Sequence, residues 1–335
     1  MRGAVEMLKT VLVLACCVGI LALPLVFDGP YFLQTMILIV FFAYMSCSWN
    51  ILGGLAGQVS LGHSAFAGIG AYTSTLAFMY LGLSPWFGMI AGGLIAGLFA
   101  LGIGCACFRL KGTYFTLSTI AFGAVLRIFV LANNSICGLQ TRGAQGLIVP
   151  LKGNMPSVMQ FAGKTPYYYL IVVMTGMVIL LTIFIRNSKV GYLLSAIKAN
   201  QDAAASLGVN VVAYKQLANF TSAFLTALGG TFYAQFILYI DPNRIFGLDF
   251  ALEFVLIAII GGQSATLGPV LGAFILVPIS DVVRAVLGGT YPGLHVALYG
   301  AAMMAIIMFM PQGLIKPLGH LGGLFAKQRK ATSTT

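Results

Sequence analysis

The chain has 335 residues, 59% of them hydrophobic and 7% charged, with a formal net charge of +11. Soluble domains carry roughly a quarter charged residues, so seven acids cannot coat a water-soluble body of this length. The basic residues are scattered between apolar runs rather than gathered on one soluble face, which excludes a nucleic-acid partner and points to the charge bias of membrane loops.

Apolar runs of about 18 residues or more read as transmembrane helices. Lipid admits only helices or closed barrels, because every backbone group must be satisfied internally. Runs that long without period-two alternation specify an all-α polytopic membrane protein. One transmembrane domain, 1–335, with about ten spans is expected. Arg2 and Lys9 precede "TVLVLACCVGILALPLVF", which is long for a signal-peptide core, so Thr10–Phe27 reads as the first span. The others are Tyr31–Leu52, Ser64–Leu83, Pro85–Phe108, Gly112–Ala132, Tyr167–Ile185, Gln216–Tyr239, Phe246–Gly262, Pro269–Leu287 and Leu294–Met310.

With the N-terminus inside, inner loops and tails hold Arg2, Lys9, Arg109, Lys111, Arg186, Lys189, Lys198, Lys215, Lys316, Lys327, Arg329 and Lys330. Outer loops hold Arg142, Lys152, Lys164 and Arg244. That asymmetry puts both termini in the cytoplasm and makes the tail "KQRK" a basic anchor at the anionic membrane lipid. Two loops are long: 133–166 outside and 186–215 inside. Of the six cysteines, five lie in apolar runs, and Cys105 and Cys107 form a lone C-x-C. All six read as packing residues rather than ligands or disulfides.

The inner loop "VGYLLSAIKANQDAAASLGVN" breaks the apolar pattern. Leu193, Ala196, Ile197, Ala204 and Leu207 recur at helical spacing. Asn200 can cap a second short helix, with Asp202 in its first turn and Gly208 at its left-handed end. Two short helices joined at Asn200 are expected. They either lie on the membrane, dock into a partner's groove, or merely connect two spans. The small run Ala203, Ala204 and Ala205 favours docking, because it lets another backbone approach.

Polar groups inside the spans are Asn50, Gln58, Ser60, His63, Arg127, Asn219, Gln235, Glu253 and Arg284. Such groups are costly in lipid and tend to face the bundle interior. Gln58, Ser60, His63, Arg127 and Glu253 are the candidates for a substrate pathway. Glu253 and Arg127 read alternatively as a buried ion pair with no role in transport, and Arg284 as a snorkelling residue near a span end. Two stretches, "GGLAGQVSLGHSAFAG" and "GGQSATLGPVLGAF", interrupt helices with glycine and share Ser-Leu-Gly against Thr-Leu-Gly. Such breaks either line a polar cavity or let helices pack closely. "GKT" at 163–165 lacks the earlier glycine of a P-loop, since Val158 stands there. "IIGGQS" has Ile260 where an ABC signature has serine. No metal site and no cofactor is expected in this chain. The histidines His63, His295 and His320 have no partner at ligand spacing.

"DAAASLG" is similar to the EAA-xxx-G loop by which permease subunits of ABC importers contact their ATPases, with Asp202 at the position of the usual glutamate. "GYLLSAIKANQDAAASLGVN", "GLAGQVSLGHSAFAGIGAYTS", "RLKGTYFTLSTIAFGAVLR" and "LEFVLIAIIGGQSATLGPVLGA" follow one another as in the branched-chain amino acid permeases of the LivM type. The resemblance implies a non-enzymatic, inner-membrane permease subunit. A LivH-like second permease, two cytoplasmic ATPases that bind the ATP and Mg, and a periplasmic binding protein delivering Leu, Ile or Val would be its partners. It also implies ATPase coupling through Ala196, Ile197, Asp202, Ala203, Ala204 and Gly208. Alternatives are the same machine for urea or short-chain amides, and an ion-gradient-driven secondary transporter.

Overall fold

The computed structural model describes residues 29–108, 113–136, 138–263 and 265–287, with Gly300 and Met304. The expected first span Thr10–Phe27, nearly all of Leu294–Met310, the basic tail, Cys16, Cys17, Cys137, His295, His320 and the side chain of Arg284 lie outside the described residues.

Eight expected segments are helical. They are α1 (Pro30–Asn50), α2 (His63–Tyr80), α3 (Pro85–Cys107), α4 (Thr113–Ala132), α5 (Thr165–Asn187), α8 (Val211–Ile237), α10 (Leu248–Gly262) and α11 (Gly268–Leu287). Between α5 and α8 lie two short helices, α6 (Lys189–Ala199) and α7 (Gln201–Ser206), and α9 (Pro242–Ile245) is a single turn. Among the described residues four stretches are long and apolar enough to cross a membrane: Tyr31–Leu55, Pro85–Cys107, Thr113–Ala132 and Thr165–Asn187, with mean hydropathy of 1.7, 2.1, 2.0 and 2.5.

Their burial separates their roles. The stretch containing α1 is 89% buried and that of α4 only 22%. A helix apolar on every side and buried on every side is the centre of its bundle. Accordingly α1 packs against α5, α8, α10 and α11. Its Tyr44 hydroxyl donates to Leu225 O at 2.7 Å and its Ser46 hydroxyl to Phe254 O at 2.8 Å. Phe41 stacks on Tyr233 with centroids 5.4 Å apart. By contrast α3, α4 and α5 turn large apolar side chains outward, including Leu98, Val125 and Phe184.

The second packed group is α2, α3 and α8. Lipid offers no hydrophobic drive between helices, so close packing on small residues and interhelical hydrogen bonds must hold them. Both are present. A side chain added at Gly70 would run into the carbonyl of Ala227, and one at Gly230 into the carbonyl of Ala67. Asn219 Nδ2 donates to Ala100 O at 2.7 Å, Gln216 Nε2 to Leu101 O at 3.0 Å, and Thr231 Oγ1 to Gly70 O at 3.1 Å.

The 133–166 loop is a folded cap. Strand β1 (Ser135–Ile136) pairs with β2 (Leu139–Gln140), and β3 (Leu147–Ile148) pairs antiparallel with β4 (Tyr239–Ile240) at the end of α8. Buried Gln160 donates to Pro150 O at 2.9 Å and accepts from Lys152 N at 3.0 Å. Lys152 Nζ reaches Phe78 O at 3.1 Å, a cation on a carbonyl near the C-terminus of α2.

Two expectations need correction. The cysteines are not uniformly packing residues, since Cys105 is exposed on α3 while Cys47 is buried. Nor does Lys215 belong to a solvated loop. Asn210 caps α8 through Ala213 N at 3.1 Å, so the helix begins five residues before Gln216 and carries Lys215 into the protein, where it is 2% exposed. Its ammonium donates to Gln201 Oε1 at 2.6 Å, which is how a buried lysine keeps its proton satisfied.

Gly230→Val should disrupt the α2–α8 contact at a cost of several kcal/mol, the range of overpacked cores. Gly176→Val, where an added Cβ meets nothing within 4 Å, should be neutral. Thermal unfolding of the two detergent-solubilised variants compares them directly.

Candidate functional site

Both glycine-rich interruptions are real breaks, and they meet. Helix α1 runs into a π-helical turn, Ile51–Leu55, after which the chain is non-helical until His63. Helix α10 ends at Gly262, and α11 starts only at Gly268. Asn50 Nδ2 donates to Ala265 O at 3.1 Å, and Gln263 Nε2 donates to Gly53 O at 2.9 Å. Each break therefore supplies a side chain to a carbonyl that the other has released. Further donors come from neighbouring helices: Trp49 Nε1 to Ser60 O at 2.7 Å and Thr116 Oγ1 to Val59 O at 2.8 Å, while Thr119 Oγ1 accepts from Leu61 N at 3.1 Å. Orphan backbone groups in an apolar bundle cost several kcal/mol each, and this network is their replacement for helical bonds.

His63 opens α2 and is wholly buried. Its Nδ1 lies 3.0 Å from Ser60 Oγ and its Nε2 2.7 Å from Ser222 Oγ. Ser222 gives its own proton to Ser48 O at 2.7 Å, so its oxygen must accept from His63 Nε2–H. Nδ1 is then the acceptor for Ser60. The result is a closed chain joining α1, the first break, α2 and α8. It ties the break to both helices, and Ser60 and His63 are both fully buried. Gln58 is half-buried on the break itself.

Beneath the breaks sit α6 and α7. Asn200 Oδ1 accepts from Asp202 N at 3.1 Å and Ala203 N at 3.0 Å, ending one helix and starting the next. The buried stripe only partly matches the expected one, keeping Ile197 and Ala204. Gly191, Leu194 and Ile197 face inward, with Ala204, while Ala196 and Leu207 face outward. Ile197, Ala204 and Val211 form one small cluster that docks α7 against α6 and α8. Asp202, Ala203 and Gly208 are exposed. Tyr192 and Leu207 are 71% and 86% exposed, large apolar groups on an otherwise polar surface.

One residue ties this loop to the breaks. Lys198 Nζ donates to Gly54 O at 2.7 Å. Its stem lies over Gly57, where an added Cβ would come within 2.8 Å of Lys198 Cγ and where φ is +69°, so the position needs glycine twice over. Burial lowers the Lys198 pKa from the ordinary 10.5. Sequence reading treated Lys198 only as an orientation charge; its spacing from Gly54, 144 residues away in the chain, carries no signal.

The alternative reading of Arg127 and Glu253 as an ion pair does not hold. Glu253 pairs with Arg244, Nη2 to Oε2 at 4.0 Å, because α9 turns Arg244 back over the start of α10. Arg127 lies half-buried on α4 with its Nε buried and lacking a hydrogen-bond partner among the described residues.

A family described as branched-chain amino acid transport system, permease component, matches residues 31–307. The chain belongs to this family. Its members are transport subunits rather than enzymes, and with its apolar helices the chain is a multi-pass membrane protein. LivM of Salmonella typhimurium, a high-affinity branched-chain amino acid transport system permease protein, is 26% identical over 305 residues, covering 84% of this chain and 68% of that protein. The nucleoside ABC transporter permease protein NupC of Lactococcus lactis is 28% identical over 285 residues, covering 77% and 85%. LivH of Escherichia coli is 24% identical over 303 residues, covering 85% and 96%. No solved structure matches.

Ser222→Ala should leave the His63 Nε2–H and Ser48 O without their partner, at about 1–3 kcal/mol. A lower unfolding temperature in detergent, with the inserted amount unchanged, checks it.

Proposed function

We propose that this permease is one of two membrane subunits of an ATP-driven importer in a bacterial inner membrane. Leucine, isoleucine or valine would be delivered by a periplasmic binding protein. Beside it stands a LivH-like permease, and two cytoplasmic ATPases hold the ATP and Mg. The chain crosses about ten times with both termini in the cytoplasm, so segment 186–215 faces the ATPases and cap 133–166 faces outward.

The observation that carries this reading is the chain of contacts from α7 to the membrane. Asp202, Ala203, Leu207 and Tyr192 are exposed on the outward side, and Ala204 and Ile197 dock the same unit inward. Lys198 fastens that unit to the first break, and Asn50 and Gln263 join the first break to the second. A push on α7 is thereby delivered to two non-helical segments, the elements best able to change conformation without breaking a regular helix. ATP closes the ATPase dimer, the short helices move with it, and the broken spans re-pack to open a passage on alternate sides.

A second reading is a nucleoside as cargo, favoured by the similarity to NupC. Uptake of labelled leucine, urea and adenosine in cells with and without the chain separates the cargoes. Loss of leucine uptake alone supports the first reading, and loss of adenosine uptake alone replaces it.

Ala204→Trp should eject α7 from its pocket, because Ala204 is 4% exposed. Gly208→Val should distort the same unit for a different reason: its φ is +83°, although space around it is open. Both variants should insert normally, and both should lose transport and ATPase co-purification. Lys198→Met should insert and retain the ATPase, yet lose most transport. Normal uptake in Lys198→Met would remove the link from the mechanism.

A further inference from the structure

One edge of the cap turns polar groups inward and apolar groups outward. Between Val149 and Phe161 the sequence holds a single charge, Lys152. Its ammonium lies 4.4 Å over the Phe78 ring and donates to Phe78 O. Asn154 Oδ1 accepts from Ala162 N at 2.8 Å, and the buried Gln160 amide is spent on the backbone of Pro150 and Lys152. Left outward are Leu151 and Met155, 75% and 59% exposed, with Pro156 beside them. A loop facing water has the opposite arrangement, since hydration favours polar groups outside and apolar groups inside.

Helix α3 sets the depth of this edge. Trp86 Nε1 donates to Pro156 O at 2.9 Å, and the Ser84 hydroxyl donates to Ser157 O. The 3-10 turn Pro156–Val158 is thereby fastened to the start of α3. With 23 residues, α3 is about 34 Å long, and the hydrocarbon core of a bilayer is about 30 Å thick. Its first turn therefore lies at the membrane boundary, where an indole finds both apolar contact and a hydrogen-bond partner. Phe87, Ile90, Leu94 and Leu98 recur at helical spacing along its exposed face. The bonds from Ser84 and Trp86 place the cap's edge at the upper limit of that face. We propose that segment 151–157 is an interfacial lipid-binding edge, with Leu151 and Met155 entering the boundary between glycerol and acyl chains in the leaflet on the cap's side. The occupant is phospholipid because the patch adjoins a lipid-facing helix. Lys152, Asn154 and Gln160, the groups with which a protein partner would form a polar rim, already bond within the chain. The proposal needs α3 to cross the membrane and depends on no choice of cargo or partner subunit.

Tryptophan fluorescence tests the depth. The chain has two tryptophans, Trp49, which is wholly buried, and Trp86. Met155→Trp and Leu151→Trp each add a third to the full-length chain, placed in phospholipid nanodiscs with whatever subunits co-purify. The difference from the unsubstituted chain isolates the added emission. Leu98→Trp is the lipid-facing control, and N-acetyltryptophanamide in the buffer is the aqueous one. Interfacial side chains sit about 5–10 Å into the boundary between head groups and acyl chains, so lipid brominated near the head of the acyl chain should cut the added emission at 151 and 155 at least about twofold. Aqueous iodide should quench it far less than it quenches N-acetyltryptophanamide. Full iodide quenching at both positions with none from brominated lipid would overturn the proposal. So would iodide quenching that a periplasmic extract relieves, because the edge would then be a protein-docking surface. Where one variant fails to enter nanodiscs, the other decides.

Discussion

Every carbonyl released where a helix breaks inside an apolar bundle must find a donor, and that requirement organises the centre of this permease. Glycines 53, 54, 57 and 62 interrupt one span and glycines 261, 262 and 268 another. Backbone groups freed inside an apolar bundle are costly unless something replaces their helical bonds. The protein answers with side chains that reach across. Asn50 and Gln263 trade donors between the breaks, Trp49 and Thr116 cover Ser60 and Val59, and Lys198 covers Gly54. Satisfying the breaks is therefore the same act as joining them to each other and to the segment beneath.

That economy has a mechanical consequence. A fully helical span transmits force along its axis and resists bending, whereas a non-helical turn can exchange one set of partners for another at small cost. The buried His63–Ser222–Ser48 chain fixes one flank of the first break. On the other flank the Lys198 contact is half in solvent and made by a flexible stem. The asymmetry makes the side facing α6 and α7 the less tightly held flank of the first break.

The packing also divides the surface by use. Helix α1 is hidden, the α2–α3–α8 group is glued by small residues and amide side chains, and α3, α4 and α5 present apolar faces outward. Arg244 and Glu253 lie at the capped end, and Lys215 is buried near the opposite end of α8.

Several features were legible in the sequence because they are local. Hydropathy over about 20 residues dictates a membrane helix wherever it occurs. Asn200, Asp202 and Gly208 encode their own caps and turn, and glycine clusters announce a break. Order of motifs gave the family. Contacts between distant segments were not legible. An ion pair between Glu253 and Arg127, one of two readings of those residues, does not form because proximity depends on how α9 folds back, and Arg244 takes the place. The buried stripe of α6 keeps Ile197 but has Leu194 in place of Leu193 and Ala196, since helical spacing gives a period but not which phase meets the bundle. Lys215 moved from loop to interior for want of any local sign that Gln201 would be waiting for it. Chain-local chemistry set what each segment could be. Only the tertiary structure decided which donor found which carbonyl, because that choice is made across 144 or 215 residues by packing that no short stretch contains.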